Sequence, residues 1–237
     1  MLLLFDIDQT LLNTGGAGIR ALHDAFEEAF EIDRNEHPEL NLAGATDLGI
    51  LREFKSAHRI TWDDALAERF FEIYLRNLDE GLAKRTDGLV LPGIIDLLNA
   101  TPADSSFTIG LLTGNLRLGA ETKIRHFGLS KYFNIELGAY GCDHWDRNEL
   151  GPIALNRVAT ITGKKFTAEQ TVVIGDTPKD INCAKSFGAR CLAVGTGMFT
   201  AEQLQAHGAD HSLETLTDTA AILEWITTPC AGNEISR

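Results

Sequence analysis

The sequence predicts a doubly wound α/β fold, a parallel sheet covered by helices on both faces, with a helical insertion after its first strand. Three observations lead there. Short apolar runs recur along the chain, each followed by a turn and then a helical pattern, as crossover units require. Successive positions within those runs are apolar, which suits strands buried on both faces. The stretch between Gly15 and Gly88, about seventy residues, is too long to be a loop.

Taken in order, Leu2-Leu3-Leu4-Phe5 predicts the first buried strand, and further strands are expected over 108–112, 135–138, 171–174 and 191–194. In the insertion, Ala21-Leu22, Ala25-Phe26 and Ala29-Phe30 recur at four-residue steps, and 62–82 shows similar apolar spacing. It reads as a small helical subdomain over 15–88, with hinges at 13–18 and 86–93 where Gly and small residues gather. Residues 1–14 and 89–237 then form the α/β core. Pro92 and Pro152 predict helix starts over 92–100 and 152–162, and Gly128 and Gly163 predict the stops of helices over 118–127 and 152–162. Pro178 and Gly188 bracket a helix over 178–187. A last helix is expected over 217–226, followed by a tail from Thr228 that is poor in apolar residues and expected to fray.

The chain has 237 residues, 44% hydrophobic and 23% charged, a balance that excludes wholesale disorder, fibres and coiled coils. Thirty-four acidic against twenty-one basic side chains give a net charge of −13, so the summed field repels nucleic-acid backbones and anionic lipid. A locally basic pocket for a small anion is compatible with that field. Asp6 ends the apolar start before a signal-peptide core or a membrane span can form. Cys142, Cys183, Cys191 and Cys230 form no CxxC pair and no metal spacing, so they read as reduced thiols, mostly packed in the core. Together these features predict a cytoplasmic protein.

Chemistry concentrates at strand ends. In Asp6-Ile7-Asp8-Gln9-Thr10 two carboxylates lie two residues apart where a buried strand stops, so both can face one side while Ile7 packs on the other. Ligands of open α/β sheets bind at the carboxyl ends of strands. Two acids there can divide labour, one ionised and one protonated, although a solvated turn or a helix cap would use the same residues. A second group, Gly175-Asp176-Thr177-Pro178-Lys179-Asp180, follows another apolar run, and the four-residue spacing puts Asp176 and Asp180 on one side of a helical turn. With Asp6 they offer hard oxygen ligands, which favour Mg²⁺; the competing role is complementing a helix dipole. Leu112-Thr113-Gly114-Asn115 supplies a hydroxyl and free backbone N–H groups at a helix start, as a phosphate site or an ordinary cap would. Arg147, in Asp146-Arg147-Asn148-Glu149, offers a guanidinium for a bidentate phosphate clamp or for a surface ion pair.

The joint pattern of four strand ends resembles the haloacid dehalogenase superfamily. Its four motifs are similar to Asp6-Ile7-Asp8-Gln9-Thr10, Leu112-Thr113-Gly114, Arg147 and Gly175-Asp176-Thr177-Pro178-Lys179-Asp180, and the likeness covers nearly the whole chain. It implies a Rossmann-like core with the insertion as a helical cap of the first type, as in phosphoglycolate-phosphatase-like members. Two positions depart from the pattern. Gln9 stands where Gly is usual, which is tolerated if the backbone there needs no positive φ, and Arg147 stands where Lys is usual, leaving Lys164, Lys165 and Lys179 as rivals for that role.

The resemblance implies a Mg²⁺-dependent phosphatase acting on a small phosphorylated metabolite, with Asp6 as nucleophile and Asp8 as general acid and base. It also implies metal binding by Asp6, the backbone carbonyl of Asp8, Asp176 and Asp180, and phosphate binding by Thr113, Gly114, Asn115 and Arg147. Asp8 favours phosphate over dehalogenation or phosphonate chemistry, since those branches lack it. A phosphomutase on sugar phosphates would use the same residues, and a non-catalytic phospholigand-binding protein could keep the same fold. A receiver-type signalling domain is disfavoured by the insertion. Gly44, Thr46 and Asp47 resemble a substrate-facing cap loop. Arg20, Arg52, Lys55 and Arg59 could meet an anionic substrate or simply form a solvated face, while Trp62, Phe70, Phe71 and Tyr74 read as cap core. A monomer or small homo-oligomer is expected, with neither nucleic acid nor membrane as partner.

Overall fold

The computed structural model describes residues 1–101 and 106–228. Along the chain, β1 (Leu2–Phe5) and β2 (Leu12–Asn13) are followed by α1 (Ala17–Phe30), α2 (Asp47–Ala57), α3 (Asp64–Lys84), β3 (Leu89–Val90) and α4 (Ile94–Asn99). Next come β4 (Thr108–Leu112), α5 (Arg117–His126), β5 (Gly138–Ala139), α6 (Leu150–Thr162), β6 (Thr171–Gly175) and α7 (Pro178–Phe187). The order closes with β7 (Arg190–Val194), α8 (Ala201–Ala206), β8 (His211–Leu213) and α9 (Thr219–Thr227).

Six strands form one parallel sheet in the order β5-β4-β1-β6-β7-β8. Alternation along each strand sends side chains into two separate cores. Leu3, Phe5, Val172, Ile174, Leu192 and Val194 pack on one face with α4, α5 and α9. Leu2, Leu4, Val173, Cys191 and Ala193 pack on the other with α6, α7 and α8. Each fully buried Leu or Ile contributes about 1.5–3 kcal/mol, so the two apolar faces hold the doubly wound arrangement. Among the described residues no helix is long and apolar enough to cross a membrane.

The insertion is helical, as its spacing predicts. α1, α2 and α3 enclose a third apolar cluster centred on Phe26, which stacks on Phe54 with ring centroids 3.8 Å apart and on Phe70 at 4.7 Å. Where hinges were expected, Leu12 and Asn13 pair antiparallel with Val90 and Leu89, so the two chain crossings are a short β-ribbon.

Several expected boundaries move. The strand placed over 135–138 begins only at Gly138, because Asn134 folds the preceding residues into a turn whose carbonyl accepts from Leu137 N–H at 2.8 Å. Pro92 does not start α4; the helix begins at Ile94 after Gly93, an N-cap in a left-handed conformation (φ 84°) whose missing Cβ leaves room for the Leu216 carbonyl. α6 starts two residues before Pro152, which is tolerated at its third position because first-turn N–H groups lack helical partners anyway. α5 runs one residue earlier than expected at each end, and Asp218 caps α9, delaying its start to Thr219. α8 and β8 are absent from the sequence reading, being only six and three residues long. Gly163 and Gly188 close their helices with φ 71° and 81°, as expected. Of the described cysteines, Cys183 and Cys191 are buried, as the reading of mostly core thiols expects, and Cys142 is exposed. Cys230 and the tail from 229 onward lie outside the described residues.

Because Phe54 is fully buried between aromatic neighbours, Phe54→Ala is expected to lower unfolding free energy by about 3–5 kcal/mol in urea titration. A loss below about 1 kcal/mol would mean that the α1–α3 cluster collapses around the gap.

Candidate active site

Sheet order decides where the functional side chains meet. β1 lies between β4 and β6, with Phe5 in register with Leu111 on one side and Ile174 on the other. The residues just past those pairs therefore leave the sheet side by side: Asp6 after β1, Thr113 after β4 and Asp176 after β6. This is the carboxyl-end crevice of a doubly wound sheet.

Asp6, Asp176 and Asp180 are buried, and each offers one carboxylate oxygen within 4.8 Å of the others. Asp180 is held by the start of α7: its Oδ2 accepts from Thr177 N–H at 3.0 Å and from the Thr177 hydroxyl at 2.6 Å. Thr10 donates its hydroxyl to Asp176 Oδ1 at 3.3 Å. Crowding like charges away from water disfavours their ionised forms. Burial, with Asp180 and Asp6 adding, pushes the Asp176 pKa up to about 9. Burial likewise raises Asp6 to about 6, against the opposing pull of Arg147 and a hydrogen bond from Thr113.

Arg147 is the counter-charge. It is buried on a short turn before α6, 3.2 Å from Asp6 Oδ1, and donates to Asp180 Oδ1 and, at 2.9 Å, to the Gly44 carbonyl. Burial alone would lower its pKa, but Asp180 and Asp6 hold it above its ordinary value. Its Nε is buried without a partner among the described residues. One guanidinium faces three carboxylates, so the set suits a further hard cation bound through oxygen, as Mg²⁺ is.

Asp8 faces the other side of the cavity. Lys123 of α5, itself buried, reaches its two carboxylate oxygens at 2.8 and 2.6 Å, and Asn115 Nδ2 donates to Oδ2 at 2.8 Å. The remaining Lys123 bond, at 2.6 Å, goes to Asn115 Oδ1, and Asn115 Nδ2 also donates to Thr113 Oγ1 at 2.7 Å. Gly114 lets the insertion come close: a Cβ there would stand 1.9 Å from the Ala45 carbonyl, and its own carbonyl accepts from Asp47 N–H at 2.7 Å. Asp47 in turn accepts from Leu116 N–H at 2.7 Å, capping the entry to α5, and burial raises its pKa to about 6. Between these walls lies a cavity of about 250 Å³.

The ends of β1, β4 and β6 and the Arg147 turn thus line one cavity. The profile of the haloacid dehalogenase-like hydrolases matches residues 3–194. The chain belongs to that family. The probable phosphatase IndB of Dickeya dadantii is 26% identical over 209 residues, covering 86% of this chain and 85% of the relative. The pyrophosphatase PpaX of Listeria monocytogenes is 24% identical over 223 residues, covering 93% and 95%. In fold, the chain matches CbbY from Rhodobacter sphaeroides, solved in complex with phosphate, with TM-score 0.69 at 22% identity over 92% of this chain and 95% of that one.

In this haloacid dehalogenase-like hydrolase, Asp6, Asp8, Thr113, Gly114, Asn115, Arg147 and Asp176 line the cavity, with Asp180 behind Arg147. Lys164 and Lys165 are exposed elsewhere, and Lys179 Nζ is 3.1 Å from the Asn41 carbonyl in a neighbouring groove, so Arg147 alone of the four candidates reaches Asp6. Gly44 and Asp47 line the cavity, while the Thr46 hydroxyl caps α2 and donates to the Trp145 carbonyl at 2.5 Å. Trp62 is half exposed rather than core, and Tyr74 belongs both to the α1–α3 cluster and to the cavity wall. Sequence reasoning misses Lys123, whose position ten residues past Thr113 carries no local signal of its pairing with Asp8.

Gln9 does adopt positive φ, 60°, against the expectation attached to it. The turn is over-determined: Gln9 N–H donates to the Leu12 carbonyl at 2.8 Å, Asn13 Nδ2 reaches Gln9 Oε1 at 3.3 Å, and the Thr196 hydroxyl donates to the Gln9 carbonyl. A left-handed backbone costs a residue with a Cβ roughly 1–2 kcal/mol, against the roughly 0.5–1 kcal/mol of extra freedom that Gly loses. Gln9→Gly is therefore expected to hold stability or raise it by up to about 1 kcal/mol, and Gln9→Val to lower it by more than about 1 kcal/mol, in chemical denaturation. The reverse order would show that the Gln9 backbone carries no strain.

Proposed function

We propose that the protein is a Mg²⁺-dependent phosphatase that cleaves a small phosphate monoester through a covalent phosphoryl group on Asp6. The observation that carries this is a buried carboxylate, Asp6, set between a guanidinium, a group of hard oxygen donors and a second carboxylate held by its own lysine. Its family makes it a hydrolase, and phosphatases stand among its curated relatives. The resident cation would be held by Asp6, Asp176 and the Asp8 backbone carbonyl with Asp180 in support, and would supply positive charge against the phosphoryl oxygens.

The chain's own groups account for the rest. An Asp6 carboxylate oxygen attacks phosphorus in line with the departing oxygen, and the Asp6–phosphorus bond forms as the ester bond breaks. Arg147 and the Thr113 hydroxyl, with the N–H of Gly114, face the equatorial oxygens. Asp8 gives a proton to the departing alcohol and then takes one from the water that hydrolyses the acyl-phosphate. Lys123 and Asn115 hold the Asp8 side chain in place for both steps. The helical insertion acts as a cap that excludes bulk water.

Phosphate release from p-nitrophenyl phosphate is expected to require Mg²⁺ and to fall at least about 10³-fold in Asp6→Asn. Metal-independent turnover, or an Asp6→Asn variant with wild-type rate, would refute the proposal. Conversion of a sugar monophosphate to its isomer without phosphate release would instead establish a mutase. Lys123→Met is expected to cut kcat by about ten- to a hundredfold with little change in KM, since it disturbs the position of the acid–base group rather than phosphate binding. A rise in KM at constant kcat would place Lys123 in substrate binding instead.

A further inference from the structure

The cavity has two ends of different character. At the sheet end stand the carboxylates, Arg147 and the phosphate-facing turn. The insertion adds Ile19 and Leu22 of α1, Leu42, Ile50 of α2 and Tyr74 of α3 to the lining, the surface a leaving group would meet. Arg147 and Lys123 are the cations lining the cavity among the described residues, and both are committed. Arg147 pairs with Asp6 and Asp180, and the Lys123 ammonium spends its hydrogen bonds on Asp8 and Asn115.

The basic side chains of the insertion are not part of this lining. Arg20 is exposed outside the mouth, with its guanidinium 3.5 Å from the Gly15 carbonyl and beside Gly16 of the lining. Arg52 lies over Trp62 and Trp145 at 5.6 and 5.2 Å in the neighbouring groove. Lys55 is buried in the α1–α3 layer, 4.8 Å from the Trp62 ring, and Arg59 is exposed. The groove that holds Arg52 and Lys179 is divided from the cavity by the 44–46 loop, which is pinned on one side by Arg147 to Gly44 and on the other by Thr46 to Trp145.

From this we infer that the leaving group is a small uncharged alcohol with an apolar face, and not one that carries a carboxylate or a second phosphate. The inference deepens the phosphatase reading and rests on it. A second anionic group bound here would lose its water against apolar walls, find no free cation, and stand near Asp8 and Asp47. An uncharged alcohol meets apolar surface, and its hydroxyls can turn to the Asp47 carboxylate or the Tyr74 phenol, both of which line the space. The volume of about 250 Å³ lies below the roughly 300–1,000 Å³ of drug-sized sites, which limits the whole ester to a small metabolite.

The test uses pairs of nearly equal size that differ in charge. Binding of 3-hydroxypropylphosphonate and of 3-phosphonopropionate to the Mg²⁺-loaded protein is measured by calorimetry, together with phosphate release from 2-hydroxyethyl phosphate, phosphoglycolate and pyrophosphate. p-Nitrophenyl phosphate serves as the control for turnover. The uncharged member is expected to bind at least about tenfold more tightly and to be hydrolysed with at least about tenfold higher kcat/KM. Ile19→Lys, at a half-exposed position on the cavity rim, is expected to shrink both ratios about threefold or more by supplying the missing cation. Equal or tighter binding of the phosphonopropionate, or preferred turnover of phosphoglycolate or pyrophosphate, would overturn the inference. If p-nitrophenyl phosphate is not hydrolysed, the phosphatase reading fails, while the binding ratio still decides the character of the cavity.

Discussion

The geometry of this protein depends on one electrostatic constraint: three carboxylates brought out of water within 4.8 Å of one another around a single buried guanidinium. Such a cluster is unfavourable unless positive charge compensates it, and the raised pKa values of Asp6 and Asp176 record that cost. The fold supplies what holds it. Parallel strands bury the chain up to Phe5 and Ile174, the Thr177 cap of α7 fixes Asp180, and the turn before α6 threads Arg147 beneath the 44–46 loop. An arrangement this costly is stable only because the surrounding apolar cores determine it, and a charge-compensating ligand stabilises it further.

A second network, built on Lys123, divides the cavity. By pairing with Asp8, Lys123 keeps Asp6 and Asp8 in different surroundings, one crowded by like charge and the other facing an ammonium. The same ammonium is thereby withdrawn from substrate recognition, which leaves the far wall of the cavity to aliphatic side chains and Tyr74.

The insertion contributes through contacts made by backbone as much as by side chains. Gly114 admits the Ala45 carbonyl, the Gly114 carbonyl accepts from Asp47 N–H, and Asp47 caps the entry to α5. Thr46, read from the sequence as substrate-facing, spends its hydroxyl on the Trp145 carbonyl and so helps to close the seam between cavity and groove. The charged residues of α2 that suggested an anionic substrate lie outside that seam or inside the helical layer.

What the sequence by itself determined follows from short-range physics. Continuous apolar runs mark the strands, Gly at left-handed stops marks the helix ends, and strand-end acids such as Asp6 and Asp176 mark the chemistry, because each of these signals is carried by neighbouring residues. The family motifs are legible for the same reason. Tertiary structure alone decided what the basic residues meet: Arg147, already favoured by its position in the chain, pairs with Asp180 across 33 positions, and Lys123 meets Asp8 across 115, distances over which sequence pattern carries no geometric information. It also decided the positive φ at Gln9, imposed by hydrogen bonds from Thr196 and to Leu12, and the two short elements α8 and β8, whose few residues gain stability only by packing on β7. Local sequence sets what each segment can do, while the low-dielectric interior, where a charge must find its partner, selects which segments meet.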